Sequence, residues 1–244
     1  MEEHEANMIA RHWLASLCCA ALFLGCSSPA ALPPKAIQLN VAGAQALAMG
    51  DLSAAEARLS VALEYNPRFV EAWVNLGYVE LRRGNFEQAG RDFERARELN
   101  QDLPAPHHAL GLLADRAGHG DKAEQEYRAA LRVDPGFAPA RANLARRLFA
   151  RGQYENAREQ FQRLLEVDPD EIEGWVGDAE TLFKLGRERE AEELVARARS
   201  RFGEAPALLL LVARQALLRR EWADAEAILA PLVGLRDRAR AGAA

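Results

Sequence analysis

Alanine returns every 34 residues along this chain, as Ala55, Ala89, Ala123, Ala157, Ala191 and Ala225. Cutting the sequence into blocks 36–69, 70–103, 104–137, 138–171, 172–205 and 206–239 puts each of these alanines in the twentieth place. The eighth place is always small: Gly43, Gly77, Gly111, Ala145, Ala179 and Ala213. The fifteenth is Gly50, Gly84, Gly118, Gly152 and Gly186, and fails only at Arg220. A period of this length, kept through six blocks without an insertion, constrains the fold more than any composition figure. Each block is one supersecondary unit that cannot bury its apolar face alone and must stack on its neighbours.

The spacing within a block says what that unit is. Places four, seven, eight and eleven fall at i, i+3, i+4 and i+7, one face of a helix. Places twenty, twenty-four and twenty-seven form a matching stripe on a second helix, as in Phe93 and Ala96, Tyr127 and Ala130, and Phe161 and Leu164. The glycine between the stripes ends the first helix in a left-handed conformation. Small residues at places eight and twenty let the two helices approach closely, with the aromatic at twenty-four beside them. Pro67, Pro135 and Pro169 close their blocks, since proline cannot continue a helix. An all-α chain follows. Some places depart from the pattern: His107 and Arg141 stand at place four, where Trp73 and Trp175 stand in other blocks, and Asp178 at the apolar place seven. Block six lacks its glycine and its closing proline, and Pro231 is expected to shorten its second helix.

The pattern resembles the tetratricopeptide repeat, most closely in EAWVNLGYVELRRGNFEQAGRDFERARELN, Glu71 to Asn100. The resemblance implies a right-handed superhelical solenoid of six helix-turn-helix repeats, with the first helix of each pair lining a concave face. Places two, five, nine and twelve of that helix would face the groove. The candidate groove residues are Val74, Tyr78, His108, Leu112, Arg146, Phe149, Val176, Phe183, Leu210 and Arg214. Aromatic anchors with arginines that fork to carboxylates or carbonyls suit an amphipathic or extended peptide. The family's carboxylate clamp for chaperone tails is not expected, because only Asn75 matches it.

All three cysteines, Cys18, Cys19 and Cys26, precede the repeats, which therefore hold no disulfide, cysteine zinc site or thiol nucleophile. From Met8 a short basic stretch, Arg11 and His12, leads into an apolar run from Trp13 to Leu24, of signal-peptide length and too short to span a bilayer comfortably. The run ends in Leu22, Phe23, Leu24, Gly25 and Cys26, which resembles a bacterial lipoprotein signal. That resemblance implies a signal peptide over 1–25, a lipid on Cys26 and a tether over 26–35 extended by Pro29, Pro33 and Pro34. Ser27 in place of aspartate implies the outer membrane, with the repeats on its periplasmic face. An ordinary signal peptide or an uncleaved anchor is the alternative reading. Residues 240–244 form a tail.

A net charge of −5 supplies no basic field for nucleic acid. Adjacent His107 and His108 point apart on a helix, and no carboxylate joins them or His119 at a ligand spacing, so no metal is expected. No phosphate loop or nucleophile motif occurs, so neither an enzyme nor a cofactor is expected. The expected function is a membrane-anchored periplasmic scaffold that binds proteins through its groove. Exported six-repeat lipoproteins of this size resemble the pilotins of type IV pili and their counterparts in tight-adherence pili, which implies a role in assembling an outer-membrane secretin or pilus. The alternative is a periplasmic adaptor that recruits proteases or peptidoglycan enzymes. A third reading is self-association through the sixth block, whose ALLLLVARQALLRR, Ala207 to Arg220, is apolar nearly all round and wants cover on more than one side.

Overall fold

The structure, a computed structural model, describes residues 32–241, with side chains as far as 232. The signal and lipidation segments, with Cys26, lie outside the described residues. The described residues form twelve α-helices and no strand: α1 Pro34–Met49, α2 Leu52–Tyr65, α3 Val70–Arg83, α4 Phe86–Leu99, α5 Pro104–Arg116, α6 Gly120–Val133, α7 Ala138–Ala150, α8 Tyr154–Val167, α9 Ile172–Lys184, α10 Glu188–Phe202, α11 Pro206–Leu218 and α12 Trp222–Ala241. They pair in order into six hairpins, each packed on the next, in a solenoid of stacked helix pairs. None of the described helices is long and apolar enough to cross a membrane. Pro34, expected in the tether, opens α1 instead, because proline's fixed φ suits a first helical position whose N–H has no partner in any case.

The recurrent small residues do what their spacing demands. A methyl group added at Gly111 would lie 2.5 Å from Cε1 of Tyr127, so the two helices of this hairpin meet as closely as they do only because that carbon is missing. Leu59, Phe93, Tyr127 and Phe161, all at place twenty-four, are fully or almost fully buried, each contributing about 1.5–3 kcal/mol of apolar burial. Gly84 takes φ of 84° between α3 and α4, and Arg220 takes φ of 63° at the same place in the last hairpin. The sixth turn therefore keeps the left-handed geometry although it has lost the glycine.

Place four has a shared task. The indole N–H groups of Trp73 and Trp175 donate to the carbonyls of Pro67 and Pro169, both at 2.9 Å. Arg141 serves the Pro135 carbonyl with its guanidinium, so it replaces tryptophan as a donor as well as a filler. His107, with no proline six residues before it, turns to Glu126 at 2.8 Å. Asp178 is buried against Arg158 of α8 at 3.3 Å. Burial pushes its carboxyl above the usual range, against the pull of that arginine.

Pro231 does not shorten α12. The helix runs through it for 20 residues, since proline removes one hydrogen bond of the ladder and leaves those on either side to hold the turn. Along one edge of the stack, Arg83, Arg151 and Arg219 reach back one repeat to Glu56, Glu124 and Glu192 at 2.7, 3.0 and 2.9 Å.

Candidate peptide groove

The first helices α1, α3, α5, α7, α9 and α11 lie side by side and bring the groove candidates other than Phe183 onto one face, but the two halves of that face differ. In the N-terminal half the repeats close on each other. Asn75 donates to the Asn40 carboxamide oxygen at 2.9 Å, from one repeat to the next. Val74 lies in the core cluster shared by α3, α4 and α5, and His108 is buried. Neither presents a surface to a ligand, because each is covered by the following repeat. Tyr78 sets its ring edge-on to Phe93, with centroids 5.3 Å apart. Leu112 packs against the cluster that holds Tyr127.

A hydrogen-bonded chain runs through this half, and its direction follows from its charged end. The Arg146 guanidinium can only donate, so the Asn143 oxygen it touches accepts. The Asn143 amide then donates to Nε2 of His108 at 2.8 Å. A neutral imidazole accepting at Nε2 carries its proton on Nδ1, which therefore donates to the Tyr78 hydroxyl at 3.3 Å. Burial lowers the His108 pKa to about 4, and Arg146 acts in the same direction. Burial raises Tyr78 to about 12. Both groups are neutral at physiological pH, and the chain links repeats two, three and four.

The C-terminal half is open. Arg146, Phe149, Phe161, Glu173, Val176 and Glu180 line a cleft of about 320 Å³. Val176 and Glu180 also border a second cleft of about 400 Å³, whose walls include Leu210, Leu211, Arg214 and Leu217. The two form one trough across repeats four to six. Its charged rim is internally neutralised: Arg146 meets Glu173 at 2.9 Å, and Arg214 meets Glu180 at 2.6 Å. Phe149 is propped by Tyr154, with ring centroids 5.4 Å apart. Phe183 does not join it. That ring lines a separate cleft with Val195 and Val212, between α10 and α11.

Phe161 and Asn143 reach this face from places that the groove pattern does not include. Phe161 belongs to the second-helix stripe and reaches the trough because place six of block five is Gly177, where any side chain would collide with its ring. Asn143 stands 35 residues from His108, the separation that also joins Asn40 to Asn75. That recurrence was visible in the sequence. Among the described residues no three histidine, cysteine or acidic side chains gather where a metal could be held.

A solenoid of helical hairpins with an open apolar trough on its inner face defines a protein-interaction scaffold. The chain belongs to the tetratricopeptide repeat family: one model of that repeat matches residues 42–104, and a second matches 116–177 and 148–214. Solved structures agree in fold. Pseudomonas aeruginosa pilF has a TM-score of 0.69 at 19% identity, over 82% of this chain and 91% of its own. A tetratricopeptide repeat protein from Parabacteroides merdae has a TM-score of 0.65 at 20% identity, covering 83% and 80%. YrrB, described as a tetratricopeptide repeat protein with an unusual peptide-binding site, reaches 0.52 at 20% identity over 71% and 90%. No curated protein matches the chain.

Proposed function

We propose that this protein is a scaffold lipid-anchored through Cys26 to the periplasmic face of the outer membrane, and that it grips a segment of a secretin or pilus component during assembly. The observation that carries the gripping role is the trough in repeats four to six. Its floor of Phe149 and Val176, laid over the buried Phe161 ring, offers apolar area to the side chains of a bound segment. Its rim of arginine–glutamate couples can reopen toward the segment's carbonyls and amides. The anchor rests on the apolar run that ends in Gly25–Cys26. The pilus assignment is supported by the architectural resemblance of a six-repeat lipoprotein to the pilotins and by the likeness in fold to pilF over most of both chains.

Photocrosslinking from a probe amino acid placed at Leu217, in native envelopes, tests the role. A secretin or pilus protein is expected among the adducts, and Phe149→Ala with Arg214→Glu is expected to remove it while circular dichroism and melting stay those of a folded solenoid. Adducts of proteases or peptidoglycan hydrolases alone would replace this reading with that of an adaptor. Capture unchanged in the double variant would reject the trough. Mass spectrometry of the native N-terminus checks the anchor separately, and an unmodified Cys26 would remove it.

A further inference from the structure

The six repeats stack by two rules that alternate. Where an odd block meets the following even one, an arginine at place fourteen reaches back to a glutamate at place twenty-one: Arg83 to Glu56, Arg151 to Glu124 and Arg219 to Glu192. Where an even block meets the following odd one, place fourteen carries no charge and the even block brings an aromatic side chain at place seventeen. Tyr154 and Leu185 line one cleft at such a junction, and Phe86 and Ala117 hold the same places at the other. The groove side follows suit. Place five of an even block and place six of the next are both small or apolar, as Val74 and Ala109, buried in one cluster, and as Ala142 and Gly177.

The described repeats begin on an odd block and end on an even one. The outer face of each end repeat is therefore half of an even-to-odd junction, and the halves match. Leu210, at place five of the last block, is 55% exposed, whereas Val74, His108 and Ala142 at the same place are buried by the repeat that follows. Val41, at place six of the first block, is 49% exposed, whereas Ala109, Asn143 and Leu211 are buried by the repeat that precedes. The aromatic of the last block, Trp222, is 64% exposed, and the uncharged place-fourteen residue of the first block, Met49, is 79% exposed. Each helix that carries these groups on the groove side is nearly free of charge: α1 has only Lys35, and α11 only Arg214.

We propose that a second copy of this chain covers both ends. The α1 face of one molecule docks on the sixth repeat of another in the register of an even-to-odd junction, with Val41 on Leu210 and Met49 on Trp222. The contact joins two different faces, so it does not close on itself, and molecules add head to tail with their grooves in line. This surface shares Leu210 with the outer wall of the trough but leaves the floor at Phe149 free, and the contact needs no other partner.

Sedimentation of the full chain, without any partner, tests this. The wild type is expected to show dimers and higher species as its concentration rises toward about 0.1 mM, where a contact of micromolar Kd is nearly saturated. Val41→Glu alone and Leu210→Glu alone are each expected to be monomeric, because each spoils one of the two faces. An equimolar mixture of the two is expected to form dimers and nothing larger, since one intact junction survives between them. A wild type monomeric at 0.1 mM would overturn the proposal. So would a mixture that stays monomeric, or Val41→Glu assembling like the wild type while Leu210→Glu does not, which would mark a symmetric contact through the sixth repeat. Should Val41→Glu melt early, Met49→Glu tests the same face from a side chain that supports nothing in the core, with the same outcomes.

Discussion

Asp92 on α4 is buried with half of its carboxylate unserved. One oxygen accepts from Gln88 at 2.7 Å, and the other, Oδ2, has no partner. Burial raises its pKa to about 6 from an ordinary 3.8, with Glu80 pushing the same way and the Gln88 hydrogen bond opposing. The sign follows. Because the folded chain holds this proton more tightly than the unfolded one, stability is full below the ordinary value and is lost as pH rises toward 6. At 1.36 kcal/mol per tenfold in proton affinity, the ionised group costs about 3 kcal/mol above pH 6. Asp92→Asn keeps the acceptor for Gln88 and removes the charge, at a pH-independent cost of about 1 kcal/mol for an unmatched amide N–H. The variant is therefore expected to be about 1 kcal/mol less stable than the wild type at pH 3.5 and about 2 kcal/mol more stable at pH 7.5. Urea unfolding at both pH values, followed by circular dichroism, reads this as a relative midpoint change of about 1 M. The comparison between chains matters because His108 works in the opposite direction over nearly the same range and flattens the profile of the wild type alone. A variant-minus-wild-type difference equal at the two pH values would refute the reasoning.

Arg220→Gly is expected to stabilise the chain by about 1 kcal/mol and to raise Tm by about 2–4 °C, because φ of 63° strains a residue with a Cβ; no gain on calorimetry would contradict it. Arg158→Met leaves the Asp178 carboxylate buried without its partner and is expected to cost about 3–5 kcal/mol in urea unfolding. Adding Asp178→Leu should restore most of that, and a double variant as weak as the single would show that packing rather than charge was lost. His108 is expected to titrate near pH 4 by nitrogen NMR, with its neutral proton on Nδ1. Its folded pKa lies below the ordinary 6.5, so stability is full above 6.5 and drains by up to about 3 kcal/mol as pH falls to 4. Titration near 6.5 would sever the chain from Arg146 to Tyr78.

The helices were legible in the sequence because the alanines and glycines that permit close packing recur at fixed places, and six copies leave little freedom in register. Arg220 shows what the pattern conceals: a turn conformation can persist through cooperative stacking after the residue that favours it has gone. Pro231 shows the converse, since a residue that argues against helix is overruled by the bonds on either side. The groove was less legible. Place five faces inward in every repeat, yet Val74 and His108 are covered and Leu210 is bare. Exposure at this place is not read from the bulk at place six of the next repeat, since Val74 and Ala142 are buried opposite Ala109 and Gly177 while Val176 lines the trough beside Leu211. It is set by how the two repeats pack, a property of pairs of blocks rather than of one. Phe183 failed for a similar reason: its place matches that of Phe149, but its neighbours Val195 and Val212 draw it into a different cleft.

The contrast between the closed and the open half of the inner face comes down to place nine. In the second repeat that place holds Tyr78, whose hydroxyl finds His108 from the next repeat, so the ring is held across the junction. In repeats four, five and six it holds Arg146, Glu180 and Arg214, which bind sideways to Glu173 and to each other. Their charged heads pair along the cleft instead of bridging to an aromatic of the next repeat. The floor is left to Phe149 and Val176 over the buried Phe161 ring, and it stays open because Gly177 contributes no side chain to fill it. Replacing Gly177 would therefore close the trough without touching its rim. Gly177→Ala is expected to displace the Phe161 ring into the cleft and to weaken capture of a bound segment, with the Arg146–Glu173 pair intact. Capture by Gly177→Ala as strong as that of the wild type would mean that the segment is held by the rim alone.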